Sequence, residues 1–336
     1  MESTKPLLIV LTPVRNEAWI LPAFLKATSL WADYIIVSDQ KSTDASREIC
    51  SSFPKVRLID NNLEEMHMAA TRRLLLNEAQ ILLKGDTNAI LFALDADEFL
   101  SGDFMHTEGW QMILNSKPND CFCWRWMDMQ LGSTSKYKLS SYIYFAIHVS
   151  QSMWDGYYPD FNIHEPRLPW PTDVHEYLIS TMYAIHLSQI NVMRRLNKTR
   201  FYQVSSVPDR KRYNTINLYR QYHQDEYAEW LDMPSEAYVY YEKNGLDIFE
   251  HLDLTDEGKH FTDVIKQNIQ ANGAEKYAML DIWDEDWCSR NNILKPQRNL
   301  YQRMLMWYLE KSNCYAQSLI IRAIDKMLKK IIQLSL

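Results

Sequence analysis

The order of apolar and polar positions divides the first hundred residues into alternating strands and helices. Short apolar runs predict four strands, at 7–11, 34–37, 56–59 and 89–94. Apolar side chains at helical spacing and N-cap candidates predict three helices between them, at 17–29, from 42–44 through Cys50, and at 65–83. This β-α-β-α-β-α-β order predicts an α/β fold, with a mostly parallel central sheet covered by helices.

The pattern changes after residue 100. Residues 121–129 alternate, so that Phe122, Trp124 and Trp126 share one face of a strand, and an aromatic strand follows at 142–149. The stretch from Pro159 to Pro171 is loop-rich, and the chain reads as helical beyond about residue 208. We therefore predict a catalytic domain at 1–207, with halves 1–100 and 101–207, and a helical C-terminal region at 208–336.

Polar side chains follow the ends of three predicted strands: Thr12, Arg15 and Asn16; Ser38 and Asp39; Asp95 and Asp97. Ligands of such sheets bind outside the carboxyl ends of the strands. Two carboxylates one residue apart offer the hard oxygen ligands that Mg²⁺ or Mn²⁺ prefers, although they could instead cap a loop or the next helix. This edge suits a metal-bound nucleoside diphosphate better than an apolar ligand.

Composition excludes several other classes. The formal charge of -7 gives no basic signature for nucleic acid, so we expect no nucleic-acid partner. The 8 glycines are too few and too scattered for a dinucleotide-binding fingerprint or a P-loop. No apolar run reaches the length of about 18 residues that a transmembrane helix needs. With no leader pattern and five scattered cysteines, we expect a cytoplasmic protein.

Four motifs in order carry a family resemblance. They are Thr12-Pro13-Val14-Arg15-Asn16-Glu17, the segment Val37–Asp44, Thr71-Arg72-Arg73, and Asp95-Ala96-Asp97-Glu98. Over residues 6 to 190 the chain resembles the inverting glycosyltransferases of family 2, which have the GT-A fold. Arg167, the pair His175-Glu176 and His186 follow in the order of a subgroup that decorates lipopolysaccharide cores, capsules or peptides.

The resemblance implies a role for each matched residue. The nucleotide would be lined by Thr12, Pro13, Arg15, Glu17, Asp39, Arg72, Asp95 and Ala96. A divalent cofactor, Mn²⁺ or Mg²⁺, would be held by Asp97, Asp95 and His186. Glu176 would be the base that an inverting transfer needs; Glu165, in the pair His164-Glu165, is its rival, and Asp173 comes next.

The implied activity moves a sugar from a nucleotide-diphosphate sugar to a glycan, lipid-linked or peptide acceptor, and we expect the donor to be a UDP-sugar. One alternative is a phosphatase of the haloacid dehalogenase type, in which an apolar strand also ends in D-x-D. There the motif normally ends the first strand, and Phe99 stands where Thr or Val is common. The other alternative is a transferase-like protein that binds a partner without catalysis.

The last predicted helix, within residues 318–336, is amphipathic and basic. Its apolar stripe consists of Ile320, Ile324, Met327, Leu328 and Ile331. Its basic residues, Arg322, Lys326, Lys329 and Lys330, lie largely off that stripe. Such a helix can lie on an anionic membrane surface, here the inner face of the membrane. The alternative is that the stripe packs on the protein's own helices or forms a homodimer.

Overall fold

The computed structural model describes residues 5–63, 68–155, 167–206 and 214–334. Its contacts divide the chain into two compact units, one of residues 1–190 with 231–255 and one of residues 191–230 with 256–336. The chain leaves the first unit after residue 190 and returns to it for residues 231–255. The predicted domain boundary after residue 207 stays a prediction.

The described strands are β1 (Leu7–Val14), β2 (Tyr34–Asp39), β3 (Val56–Asp60), β4 (Ala89–Ala93), β5 (Glu98–Leu100), β6 (Asp120–Met129), β7 (Lys136–His148), β8 (His175–His186) and β9 (Leu231–Asp232). The described α-helices are α1 (Leu21–Ser29), α2 (Ser46–Ser51), α3 (Met68–Leu83), α4 (Glu108–Leu114), α5 (Val192–Ser206), α6 (Thr215–Tyr222), α7 (Val239–Lys243), α8 (Lys259–Asn272), α9 (Glu285–Asn291), α10 (Leu300–Ser312) and α11 (Leu319–Leu334).

The first unit is built on one sheet in the order β3-β2-β1-β4-β7-β6-β8-β5, with β9 beside β7. Strands β1 to β4 pair in parallel, which confirms the predicted β/α alternation. Beyond β4 the sheet is mixed, because β7 joins β4 antiparallel and β8 joins β6 in parallel. The carboxyl ends of β1, β2 and β4 therefore meet at one edge of the sheet.

Both faces of the sheet are covered, so its central strands carry apolar side chains without alternation. On one face Trp110 packs against Phe92, Trp31 and Phe104, with ring centroids 5.0 to 5.6 Å apart. The other face is buried beneath α3 through Leu75 and other apolar side chains. Helix α1 begins later than predicted, because Pro22 lacks an N–H and is tolerated only in the first turn.

The second unit is helical, as the sequence predicted. One apolar core gathers around Ile265, Tyr277 and Trp287, and a second around Ile216 and Leu309. None of the helices in the described ranges combines the length and the apolar composition that a bilayer-spanning segment requires.

Candidate metal and nucleotide site

The ends of β1 and β2 hold buried polar atoms that lack partners. Thr12 Oγ1, Ser38 Oγ and Asp39 Oδ1 make no hydrogen bond to any residue that the structure describes. Asp39 Oδ2, by contrast, accepts from Arg47 Nη1 at 2.9 Å and from the backbone N–H of Ser42 at 3.3 Å. Buried polar atoms are normally paired, because leaving one unsatisfied costs about 1–3 kcal/mol. Three such atoms lie near the carboxyl ends of β1 and β2, where a polar ligand could satisfy them.

The turn after β1 is tied to the loop after β2. Asn16 adopts a left-handed backbone conformation, with φ of 56°, and its Oδ1 accepts from the backbone N–H of Thr43 at 2.7 Å. The backbone N–H of Asn16 donates to Ser42 Oγ at 2.8 Å. The two sequence motifs therefore hold each other in place, and their conformation shapes this edge of the sheet.

The other predicted nucleotide residues divide into two groups. Pro13, Arg72 and Asp95 line a small pocket with a cavity volume of about 10 Å³, together with Leu11, Leu75, Ala93 and Arg167. Arg15 is exposed, and Glu17 Oε2 accepts from Trp19 Nε1 at 2.7 Å. Ala96 packs in the apolar core beneath the edge. The pocket thus brings together Pro13, Arg72 and Asp95, and Ala96 is not among its lining residues.

Arg167 is the charged centre of this pocket. It is buried, and its guanidinium donates to both carboxylate oxygens of Glu98, at 2.6 and 2.7 Å, and to Asp95 Oδ2 at 2.9 Å. It also lies over the rings of Trp126 and Phe145, at 5.1 and 5.2 Å from their centroids. Burial lowers the pKa of Arg167, but the charges of Asp95 and Glu98 raise it above its ordinary value. The guanidinium is therefore a fixed positive charge.

Glu98 lies buried opposite His186, because β5 and β8 pair antiparallel at these two residues. Burial raises the pKa of Glu98, the charge of Arg167 opposes that shift, and the charge of Asp95 adds to it. Since both oxygens of Glu98 accept from Arg167, its carboxylate serves to anchor the guanidinium.

Asp97 and His186 form a pair that fits a divalent cation. His186 Nε2 lies 3.5 Å from Asp97 Oδ2, a gap that an ion with bonds of about 2.1 Å can bridge. These atoms and a Glu98 oxygen lie within 4.8 Å of one another. With Glu98 engaged by Arg167, Asp97 and His186 are the two side chains best placed to bind an ion.

A second carboxylate orients His186. Asp128 Oδ1 lies 2.7 Å from His186 Nδ1, and the ring of Trp126 stacks on the imidazole with centroids 4.8 Å apart. Burial lowers the pKa of His186, but the charge of Asp97 and the hydrogen bond with Asp128 raise it to about 10. A carboxylate that accepts the Nδ1 proton leaves Nε2 to face the ion, as in many metal sites.

The structure places the predicted base apart from this pair. Glu176 is exposed, and Tyr144 Oη donates to its Oε2 at 2.6 Å. On β6 the partner of Glu176 is Cys121, seven residues before Asp128, the partner of His186. At about 3.3 Å per residue this separation is roughly 20 Å.

Glu165, in the pair His164-Glu165, and Asp173 are the other two carboxylates predicted as possible bases. His164 and Glu165 lie outside the described residues. Asp173 is exposed and accepts from Ser152 Oγ at 3.3 Å. Asp173 is not a member of the group that Asp97, Glu98 and His186 form among the described residues.

Sequence reasoning missed Asp128 and Trp126 as parts of the site. Both lie on β6, where alternation places them on the same face. The available signal was Asp128 between Met127 and Met129, near the end of a mainly apolar and aromatic strand. Whether Asp128 lies beside His186 depends on the register between β6 and β8, and the sequence pattern does not determine that register.

No family model matches the chain, and no curated protein does either. Solved structures with partial similarity include glucosyl-3-phosphoglycerate synthase from Mycobacterium tuberculosis, determined in complex with Mn²⁺ and UDP. That similarity has 15% identity and a TM-score of 0.25, over 36% of this chain and 44% of that one.

Two further solved structures are similar over about half of this chain. A glycosyltransferase involved in glycosylation of the major capsid of PBCV-1 shows 11% identity and a TM-score of 0.27, over 54% of this chain and 94% of that one. A 4-diphosphocytidyl-2C-methyl-D-erythritol synthase from Anaerococcus prevotii shows 10% identity and a TM-score of 0.33, over 52% and 86%. The functional proposal therefore rests on the residues of the site itself.

Proposed function

We propose that the protein is a metal-assisted glycosyltransferase of the GT-A type. It would move a sugar from a nucleoside-diphosphate sugar to a glycan, lipid-linked or peptide acceptor, with inversion. The observation that supports this most is the pairing of Asp97 with His186 beside the buried Arg167, at the sheet edge where Thr12, Ser38 and Asp39 hold unpartnered polar atoms. One edge thus offers a cation site and a polar nucleotide site.

Asp97 and His186 would hold the ion, with Asp128 fixing the imidazole. When bound, a divalent ion neutralises negative charge on a departing diphosphate. One carboxylate and one imidazole suit Mn²⁺ or Mg²⁺ when phosphate oxygens complete the coordination. Arg167 adds a permanent positive charge to the same pocket, where Asp95 and Glu98 hold it in position.

The nucleoside end of the donor would lie across the ends of β1 and β2. Asp39 Oδ1 and the hydroxyls of Thr12 and Ser38 supply acceptors and donors of the kind that a base and a ribose need. Arg72 lines the pocket between this end and Asp95. Arg15 and Glu17 keep their predicted roles as hypotheses at the rim of the site.

The general base of the proposed reaction stays a prediction. A base must come within hydrogen-bond reach of the acceptor hydroxyl, directly or through one water. Glu176 would have to act from its position beside Tyr144, away from the Asp97 and His186 pair. If Glu176 is the base, Glu176→Gln lowers the transfer rate by about 10²-fold or more while nucleotide affinity is retained. An unchanged rate would assign the base to another carboxylate.

Donor hydrolysis tests the proposal. The wild-type protein is incubated with a panel of nucleotide sugars and Mn²⁺, and free sugar and nucleoside diphosphate are measured. Asp97→Asn should abolish their release, whereas Asp286→Asn, a change of an exposed carboxylate in the second unit, should leave it intact. Phosphate release from a generic phosphate ester would instead indicate a phosphatase, and inertness towards every donor would indicate a binding protein.

A further inference from the structure

The last described helix carries an apolar stripe that its own unit leaves uncovered. Leu319, Ile320, Met327 and Ile331 are 83%, 73%, 55% and 48% exposed, and we call these four side chains the α11 stripe. The helix packs on its unit through a different side, where Leu328 contacts the second apolar core and Asp325 is buried. Of the five stripe residues predicted from the sequence, Ile324 and Leu328 are partly buried, whereas Ile320, Met327 and Ile331 are exposed, so packing on the protein's own helices accounts for only part of the predicted stripe.

Basic side chains run beside the α11 stripe. Arg322, Lys326 and Lys330 are exposed, and Lys329 is half-buried. The one acid of the helix, Asp325, does not offset them at the surface. It is buried against Arg220, whose Nε lies 3.1 Å from Asp325 Oδ2, and it accepts from Tyr308 Oη at 2.8 Å. The surface beside the stripe is therefore positive.

Helix α10 repeats this arrangement. Leu300, Met304 and Trp307 recur at helical spacing and are strongly exposed, on the side opposite the buried Leu305 and Leu309. Residues 300–334 contain six basic and two acidic side chains, although the whole chain has a formal charge of -7. Exposed apolar side chains, an exposed tryptophan and local positive charge are combined in one short stretch of the chain.

We propose that the α11 stripe and its basic flank dock on an anionic phospholipid surface. The apolar side chains would enter the boundary between headgroups and acyl chains, and the lysines would contact lipid phosphates. Tryptophan is favoured at that depth because its ring is apolar and its N–H is polar.

A second copy of the chain fits this surface less well. In a two-fold dimer the same patch meets itself, so that the lysines of one copy approach the lysines of the other. Like charges that face each other across an interface are unfavourable. An anionic surface satisfies the apolar and the basic side chains together, and it does so without any role of the proposed catalytic site.

Flotation with lipid vesicles tests this surface. The full-length protein is mixed with vesicles of equal parts phosphatidylglycerol and phosphatidylcholine, and in parallel with vesicles of phosphatidylcholine alone. The wild type should float with the anionic vesicles only, and added NaCl should release it because salt screens the lysines.

Two variants separate the basic flank from the stripe. Lys326→Gln combined with Lys329→Gln and Lys330→Gln should lower the partition coefficient roughly a hundredfold, since each basic residue near an anionic surface adds severalfold. Ile320→Ser combined with Met327→Ser, both at exposed positions, should also weaken binding while circular dichroism stays unchanged. The matched control, Lys117→Gln with Lys259→Gln and Lys276→Gln, removes the same charge at exposed lysines elsewhere and should float like the wild type.

Three results would overturn the proposal. One is absence of the wild type from the floated anionic fraction. Another is equal loss of binding in the control, which would indicate general attraction of lysines. The third is a concentration-dependent dimer in sedimentation velocity that the two serine substitutions dissociate, because the stripe would then be covered by a second copy.

Discussion

At the scale of single residues, the site is organised by buried charges that satisfy one another. Arg167 donates to Glu98 and Asp95, and His186 lies between Asp97 and Asp128. A buried charge is tolerable only when it is paired and hydrogen-bonded. Loss of one member therefore leaves its partners uncompensated, so single substitutions here should be more severe than their size suggests.

Arg167 provides the first prediction. Arg167→Met should destabilise the protein by about 3 kcal/mol or more, because it leaves the buried carboxylate of Glu98 without its positively charged partner. Replacing the pair, as in Arg167→Met with Glu98→Leu, should recover part of that loss, since no uncompensated charge remains at Glu98. Urea denaturation measures these two variants and Glu98→Leu alone, and simple additivity of the two single changes would contradict the pairing.

Asp128 provides the second prediction. Asp128→Asn should weaken Mn²⁺ binding about 10- to 100-fold, because the hydrogen bond that orients His186 and raises its basicity is weakened. Paramagnetic resonance of free Mn²⁺ gives the affinity without any assay of activity. Asp173→Asn is the matched control and should bind Mn²⁺ like the wild type. Equal Mn²⁺ affinities in all three proteins would show that Asp128 does not support a metal ligand.

At the scale of elements, helix α4 packs closely on strand β8 at Gly109. The backbone N–H of Gly109 donates to Thr181 Oγ1 at 3.1 Å. A Cβ at this position would lie 2.6 Å from that oxygen and would also overlap Ile179 Cγ2. The helix can pack this closely on the strand only because residue 109 has no side chain.

The third prediction follows from that contact. Gly109→Ala should lower the free energy of unfolding by about 1–3 kcal/mol, although alanine favours helices, because the added methyl overpacks the interface. Met112→Ala, on the exposed side of the same helix, should change it by no more than about 0.5 kcal/mol. A Gly109→Ala protein that is more stable than the wild type would show that α4 lies farther from β8.

The second unit contains a histidine held between two acids. His223 Nε2 lies 2.7 Å from Asp281 Oδ2, and its Nδ1 lies 2.5 Å from Glu226 Oε1. Burial lowers the pKa of His223, but the hydrogen bonds to Asp281 and Glu226 outweigh it and raise the pKa. The folded protein therefore binds this proton more tightly than the unfolded chain does.

The fourth prediction is the resulting pH dependence. The stability that His223 contributes should be complete below the unfolded pKa of about 6.5 and should fall as the pH rises through the raised folded value. The difference in free energy of unfolding between the wild type and His223→Gln should thus shrink from mildly acidic to alkaline pH. A difference that is constant, or that grows with pH, would contradict the assignment.

At the scale of the whole molecule, the sequence predicted the strands and helices that depend on neighbouring residues. It did not predict the contacts between residues far apart in the chain. Apolar runs located the strands of the first hundred residues, because each pattern is complete within a few residues. The positions of Asp95 and Asp97 followed from the same reading. The pairing of Glu98 with His186 joins residues far apart in the chain, and local periodicity carries no information about it.

The same limit explains the position of Glu176. A register shift between β6 and β8, after Cys123, sets which residues of β8 reach the cluster. Along the sequence, Glu176 lies between Arg167 and His186. In the structure it lies apart from both Asp128 and His186. The exposure of the α11 stripe likewise depends on which side of the helix packs, a choice that Asp325 and its partners determine.

Titration calorimetry of a uridine diphosphate solution into the protein tests the central claim most directly, namely that Asp97 and His186 form a metal-dependent nucleotide site. The account predicts saturable binding with Mn²⁺ that weakens at least about tenfold in EDTA, because metal-bridged phosphate contacts are lost. Asp97→Asn should show the same weakening with Mn²⁺ present, and Asp173→Asn should not. Equal affinity in Mn²⁺, in EDTA and in Asp97→Asn would contradict the claim, as would a lack of binding by every nucleoside diphosphate tested.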